Sequence, residues 1–93
     1  MDKLQAMQLF VRVVESGSYT AAADQMEISR ALASKLVQGL EDQLGVRLLH
    51  RTTRKLSLTE AGENYYQRVS EILTELSLAE AQAAEMQAEP RGR

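Results

Sequence analysis

Cysteine and tryptophan are absent from these 93 residues; proline, phenylalanine and histidine occur once each and tyrosine three times. Each shortage removes a class of function. Without cysteine there is neither a disulfide framework nor a thiolate nucleophile, and His50 alone leaves any zinc site short of ligands, so no metal and no cofactor are expected. Four large aromatic rings supply little material for a deep ligand pocket. A chain this short buries only about 60% of the surface that its unfolded form exposes, which leaves room for a single core. No nucleophile and base are set up to meet, and catalysis is not expected. Long apolar runs are missing too. The segment from Leu4 to Val14 is interrupted by Gln5, Gln8 and Arg12, so neither a signal peptide nor a membrane span is expected, and the chain reads as cytoplasmic.

What is present becomes visible when the net charge of −2 is divided along the chain. Residues 28–55 hold Arg30, Lys35, Arg47, Arg51, Arg54 and Lys55 against Glu41 and Asp42, a surplus of four positive charges. Residues 60–89 hold Arg68 against seven glutamates, a surplus of six negative ones. The acidic tail reads as a solvated helix face. The basic head has the electrostatic footprint of a polyanion binder.

Leu4, Met7, Phe10, Val11 and Val14 recur at steps of three and four and predict a first amphipathic helix to about Glu15, stopped by Gly17. Ser18 caps a short second helix, about Tyr19 to Met26, with a small face at Ala22 and Ala23. Glu27 and Ile28 form a tight connection to Ser29, the cap of a third helix whose expected buried stripe is Ala33, Leu36, Val37, Leu40 and Leu44 before Gly45 ends it. Two helices joined by about three residues have the dimensions of a helix-turn-helix. The runs Val46–Arg51 and Lys55–Leu58 are β-compatible and predict a two-stranded hairpin with Arg54 and Lys55 at its tip, His50 lying on a strand. Thr59 then caps a long helix that begins with Glu60 and runs to about Glu89, where Pro90 and Gly92 stop it. The expected fold is mostly α: three helices and a β-hairpin wing over residues 1–58, a linker helix over 59–89, and a hinge over 90–93.

On that long helix Tyr65, Val69, Ile72, Leu76, Ala79, Ala83 and Met86 alternate by four and three over three heptads. About thirty residues span roughly 45 Å, more than the rest of so small a chain can cover. The first six of these residues are therefore expected to form a homodimer interface. On helix three, Arg30, Ala31, Ser34, Lys35 and Gln38 share a sector away from the buried stripe, with Ser29 at its entry. Arginine can pair bidentately with guanine and glutamine with adenine, serine and lysine take phosphates or base edges, and alanine permits close approach. Arg51, Arg54 and Lys55 extend this basic surface onto the wing, where an arginine fits the negative potential of a minor groove.

The segment SGSYTAAADQMEISRALASKLVQGLEDQLGVRLLHRTTRKLSLTEAG resembles the N-terminal DNA-binding region of LysR-type transcriptional regulators, in its helix-turn-helix, its EDQLGVRLLHR wing entry and its LTEAG start of a linker helix. The resemblance implies a bacterial winged-helix domain that pairs through antiparallel linker helices, with a tetramer open to the full-length protein, and that precedes an effector domain absent from this chain. It also implies recognition-helix contacts at Arg30, Ala31, Ser34 and Lys35 and a minor-groove contact at Arg54. Three positions depart from the family pattern: Arg30 stands where glutamine is usual, Ala31 where proline or serine is common, and Lys35 where arginine is frequent. The operator preference of relatives therefore does not transfer. The expected function is sequence-specific binding of double-stranded DNA, on an operator of two-fold or near two-fold symmetry, by a nucleoid-associated homodimer whose small-molecule effector acts through the missing domain. A coiled-coil interaction module without DNA-binding activity is the alternative from another class.

Overall fold

The computed structural model describes residues 2–50 and 56–88. Four helices follow one another: α1, Lys3–Ser16; α2, Tyr19–Met26; α3, Arg30–Leu44; and α4, Glu60–Ala88. Their starts are set by side chains one position upstream. The carboxylate of Asp2 accepts the Gln5 N–H at 3.1 Å, Ser18 Oγ accepts from Ala21 at 3.1 Å, and Ser29 Oγ accepts from Leu32 at 3.0 Å. Each satisfies an N–H that the helix itself cannot. Gly17 and Gly45 close α1 and α3 in the left-handed conformation, with φ of 73° and 76°.

The closure of α2 is less favourable. Glu27 takes the same left-handed conformation, φ 58°, while its N–H returns to the carbonyls of Ala23 and Asp24. A side chain there clashes with its own backbone at a cost of about 1–2 kcal/mol, whereas glycine adopts the conformation freely and gives back part of the gain in unfolded-chain entropy. Glu27→Gly is expected to raise unfolding stability by about 0.5–1 kcal/mol. Chemical denaturation followed by circular dichroism would check this, and an unchanged or lowered midpoint would contradict it.

The core forms where α1, α2 and α3 meet and is closed from below by Leu48 and Leu49. It contains Ala6, Leu9, Phe10 and Val13 from α1, Ala22 and Ala23 from α2, and Ala33, Leu36, Val37 and Leu40 from α3. Two expected stripes need correction. On α1 the buried face is centred on Leu9 and Val13 rather than on Leu4, which stays 42% exposed, while Met7 and Val14 pack at the margin. Apolar residues run around most of α1, so periodicity permits either face, and docking against α2 and α3 selects one. On α3 the stripe ends in Glu41, 5% exposed, and Leu44 is left 37% exposed.

Glu41 also reaches the base of the expected wing. Its Oε2 accepts the backbone N–H groups of Leu48 at 2.7 Å and Leu49 at 3.1 Å. Among the described residues no strand forms: Leu49 and Leu58 make a single antiparallel bridge, with the His50 N–H on the Ser57 carbonyl at 2.9 Å and the Thr59 N–H on that of Leu48 at 3.0 Å. Val46, assigned to a strand by its sequence, is 45% exposed and lies outside this pairing. The hairpin tip, with Arg51, Arg54 and Lys55, lies outside the described residues, as do Glu89 and the hinge at 90–93.

Thr59 ties α4 to this region. Its hydroxyl donates to the Arg47 carbonyl at 2.7 Å and accepts the Gly62 N–H at 2.9 Å, so one side chain caps α4 and anchors it to the chain leaving α3. The first turns of α4 then pack on α1. Phe10 and Tyr65 meet as a tilted pair, ring centroids 5.6 Å apart at 52°, within the favourable range for aromatic contacts, and the Tyr66 hydroxyl donates to Glu15 at 2.9 Å. That hydrogen bond, followed by burial and the nearby negative charge, raises the Tyr66 phenol above its ordinary value, since each favours the neutral form. Beyond Leu76 every described side chain through Met86 is exposed, so the distal part of α4 projects from the body. Among the described residues no helix is long and apolar enough to cross a membrane.

Candidate nucleic-acid interface

α2 and α3 are separated by Glu27, Ile28 and Ser29, and the connection is fixed from both sides. The Ile28 N–H reaches back to the Ala23 carbonyl at 3.0 Å, and Ser29 holds the first turn of α3. Ala22 and Ala23, both buried, allow α2 to approach its neighbours closely. With Ala33, Leu36, Val37 and Leu40 turned inward, the opposite side of α3 is left to Ala31, Lys35 and Gln38, all exposed. Exposed Asp42 follows one turn after Gln38, so the cationic part of this surface is confined to the N-terminal portion of α3.

The six residues expected on this helix do not lie equivalently. Ser34 is half-buried, and the Ser29 oxygen is already engaged as the cap, leaving its O–H free to donate. Arg30 is exposed but lies on the flank of the helix, at about 100° per residue close to the direction of Val37 and Glu41. Its guanidinium rests 4.4 Å from the centre of the Tyr19 ring at the start of α2. Sequence reasoning did not identify Tyr19 as part of this surface. Eleven positions separate it from Arg30, and only the crossing of α2 and α3 brings the two together.

Glu41 enters the sequence reading only as part of the charge balance of residues 28–55. No pattern within α3 marks it as buried, because its partners are backbone groups seven and eight positions further along. His50 is exposed, and among the described residues no cluster of three potential metal ligands exists.

The stripe on α4 divides into two. Val69 is 2% exposed and Tyr65 half-buried, both packed within their own chain. Burial also raises the Tyr65 phenol above its ordinary value. Ile72 is 54% exposed, Leu76 half-buried, Ala79 and Ala83 exposed, and Met86 77% exposed. An uncovered apolar row at heptad spacing thus continues along the projecting half of the helix.

The family model for bacterial regulatory helix-turn-helix proteins of the lysR family matches residues 4–63. An uncharacterized HTH-type transcriptional regulator of Haemophilus influenzae is 49% identical over 92 residues, which are 99% of this chain and 32% of that protein. The HTH-type transcriptional regulator CrgA of Neisseria meningitidis is 44% identical over 88 residues, 95% of this chain and 29% of its own length. The fold is similar to that of the BenM DNA-binding domain in its complex with catB site 1 DNA, with a TM-score of 0.86 at 31% identity, covering 95% of this chain and 98% of that one. The chain therefore spans about a third or less of the length of these two regulators.

Proposed function

The chain belongs to the LysR family of bacterial regulatory helix-turn-helix proteins, and from that premise we propose that residues 1–58 bind a double-stranded operator while residues 59–89 pair two copies. α3 enters a major groove, where Arg30, Ala31, Ser34 and Gln38 meet base edges and Ser29 and Lys35 take phosphates. Arg51, Arg54 and Lys55 continue the contact along the backbone and into the neighbouring minor groove. The observation that carries this reading is the exposed face of α3: a surface with Ala31, Lys35 and Gln38 outward, Arg30 beside it and no acid before Asp42, borne on a helix whose other side is fully committed to the core. The BenM domain that shares the fold is bound to DNA. Binding rather than catalysis is the proposed activity. An effector acts through a part of the regulator outside these residues.

Titration against duplexes of differing sequence at several salt concentrations tests the reading. Lys35→Ala is expected to weaken binding to all duplexes alike and to flatten the log-log salt dependence by roughly one unit, as the loss of one phosphate contact does. Arg30→Ala is expected to cost about 1–3 kcal/mol on the preferred duplex and to relax preference at one base pair per half-site. The alternative of a coiled-coil interaction module predicts no saturable, salt-sensitive binding to any duplex.

For the pairing, the uncovered row from Ile72 onward is the support. Aspartate at position 72 puts a charge into a seam that must exclude water, yet in the single chain that position is already half in solvent. Ile72→Asp is expected to convert a dimer into a folded monomer, seen as a halved mass in solution with helical content retained. Operator affinity falls with it, because two linked half-site contacts gain an effective concentration that separate monomers lack. A variant that stays dimeric would exclude α4 as the interface.

A further inference from the structure

We infer that Tyr19 is a positioning residue for DNA recognition: its ring holds the Arg30 guanidinium in place at the mouth of α3 and thereby sets base discrimination at the position Arg30 reads. The inference rests on the proposed role of α3. The two side chains come from different helices, the guanidinium carbon lying 4.4 Å from the ring centre, well inside the range over which a cation is attracted to an aromatic face. Tyr19 is itself half-buried and packed against the core, so the ring is a fixed platform rather than a second mobile side chain.

The geometry leaves recognition open. The ring attracts the charge centred on the guanidinium carbon, whereas the five N–H donors radiate outward from it in the guanidinium plane. An arginine whose guanidinium carbon lies over a ring therefore keeps N–H donors directed away from it, which can still reach the O6 and N7 of a guanine. Arg30 lies on the flank of α3, away from the direction shared by Ala31, Lys35 and Gln38. A free arginine there would sample many rotamers and pay their entropy on binding. Ordering it beforehand removes much of that cost and restricts the fork to one approach, which favours a bidentate partner over a single phosphate oxygen. Lys35 is exposed and has no ring contact among the described residues, so this preorganisation belongs to Arg30.

The test is selection of bound duplexes from a random-sequence pool with the whole 93-residue chain, followed by titration of the selected duplex and of its single-base-pair variants. Tyr19→Leu is expected to lower discrimination at one base pair per half-site about two- to fivefold, the scale of one exposed cation–π contact, with other positions unaffected. Tyr19→Phe keeps the ring and is expected to retain discrimination. In an Arg30→Ala background, Tyr19→Leu is expected to produce no further loss of discrimination. A purely structural role would instead lower affinity for every duplex alike, in both backgrounds, and that outcome overturns the inference. So does an unchanged preference in Tyr19→Leu while Arg30→Ala relaxes it, which leaves the role of α3 intact. If Arg30→Ala lowers all duplexes equally, Arg30 holds a phosphate, and the base-reading role falls together with the inference.

Discussion

Glu41→Ala is expected to cost the domain about 2–5 kcal/mol, since each buried N–H left without an acceptor carries a penalty of about 1–3 kcal/mol and two are released together. Leu48 is 0% and Leu49 2% exposed, so water cannot replace the carboxylate without opening the core. The substitution also removes a buried carboxylate and the expense of keeping it from water, an effect of opposite sign. The stranded donors prevail because the charge is already solvated by two amide dipoles, at 2.7 and 3.1 Å, whose alternative is nothing. Domains of this kind have a net stability of roughly 5–15 kcal/mol, so the loss is a large fraction of the whole. Glu41→Gln retains one acceptor oxygen and is expected to fall between the two. Equilibrium denaturation in urea would measure both variants. An alanine variant as stable as the parent would mean that the segment at 48–49 finds other acceptors.

Gly62→Ala is the second large effect expected, and its sign is the informative part. At an exposed position within a helix, alanine in place of glycine is favourable by about 1 kcal/mol. Here a Cβ would run into the Leu48 carbonyl, with the carbonyl carbon itself at 2.9 Å. The obstacle is backbone, already fixed by the Thr59 N–H on the same oxygen and by the core contacts of Leu48. It cannot rotate away as a side chain would, and α4 must withdraw from the chain leaving α3. Overpacking of this kind costs about 1–3 kcal/mol or more, which outweighs the propensity gain. A lowered denaturation midpoint is expected, with the amide signals of Leu48, Leu49 and Thr59 shifted most in a nitrogen–proton NMR spectrum. Stabilisation would show that the first turn of α4 is not held against Leu48 in solution. Because this junction links the base of the wing to the pairing helix, its displacement is also expected to lower operator affinity in the proposed dimer.

Most helix boundaries were legible in the residues alone because capping is local. Ser18, Ser29 and Thr59 each satisfy an N–H three positions ahead, and Gly17 and Gly45 each supply a left-handed turn. Such interactions act within one turn, so order along the chain contains them. The helix-turn-helix spacing, the exposed positions of Lys35 and Gln38, and the apolar row along α4 follow from the same short-range periodicity. The family signature was legible for a related reason: turn, cap and wing-entry residues occur in a contiguous run.

What only the tertiary structure decided is which of several permitted faces is buried and which distant groups meet. The period of α1 allows a stripe through Leu4 and Val11 as readily as one through Leu9 and Val13, and α2 and α3 chose the second. The row on α4 is one pattern in the sequence, yet docking on Phe10 and the rest of α1 assigns Tyr65 and Val69 to the chain's own interior and leaves Ile72 uncovered. Of the expected hairpin the described residues contain one bridge, Leu49 to Leu58, and a carboxylate from α3 holds the N–H groups of Leu48 and Leu49 beside it, a contact between distant segments. Tyr19 reached Arg30 only through the crossing of two helices. Periodicity and capping are properties of a few consecutive residues, whereas burial and cross-helix contacts depend on where other segments come to rest, and that is settled only when the whole core packs.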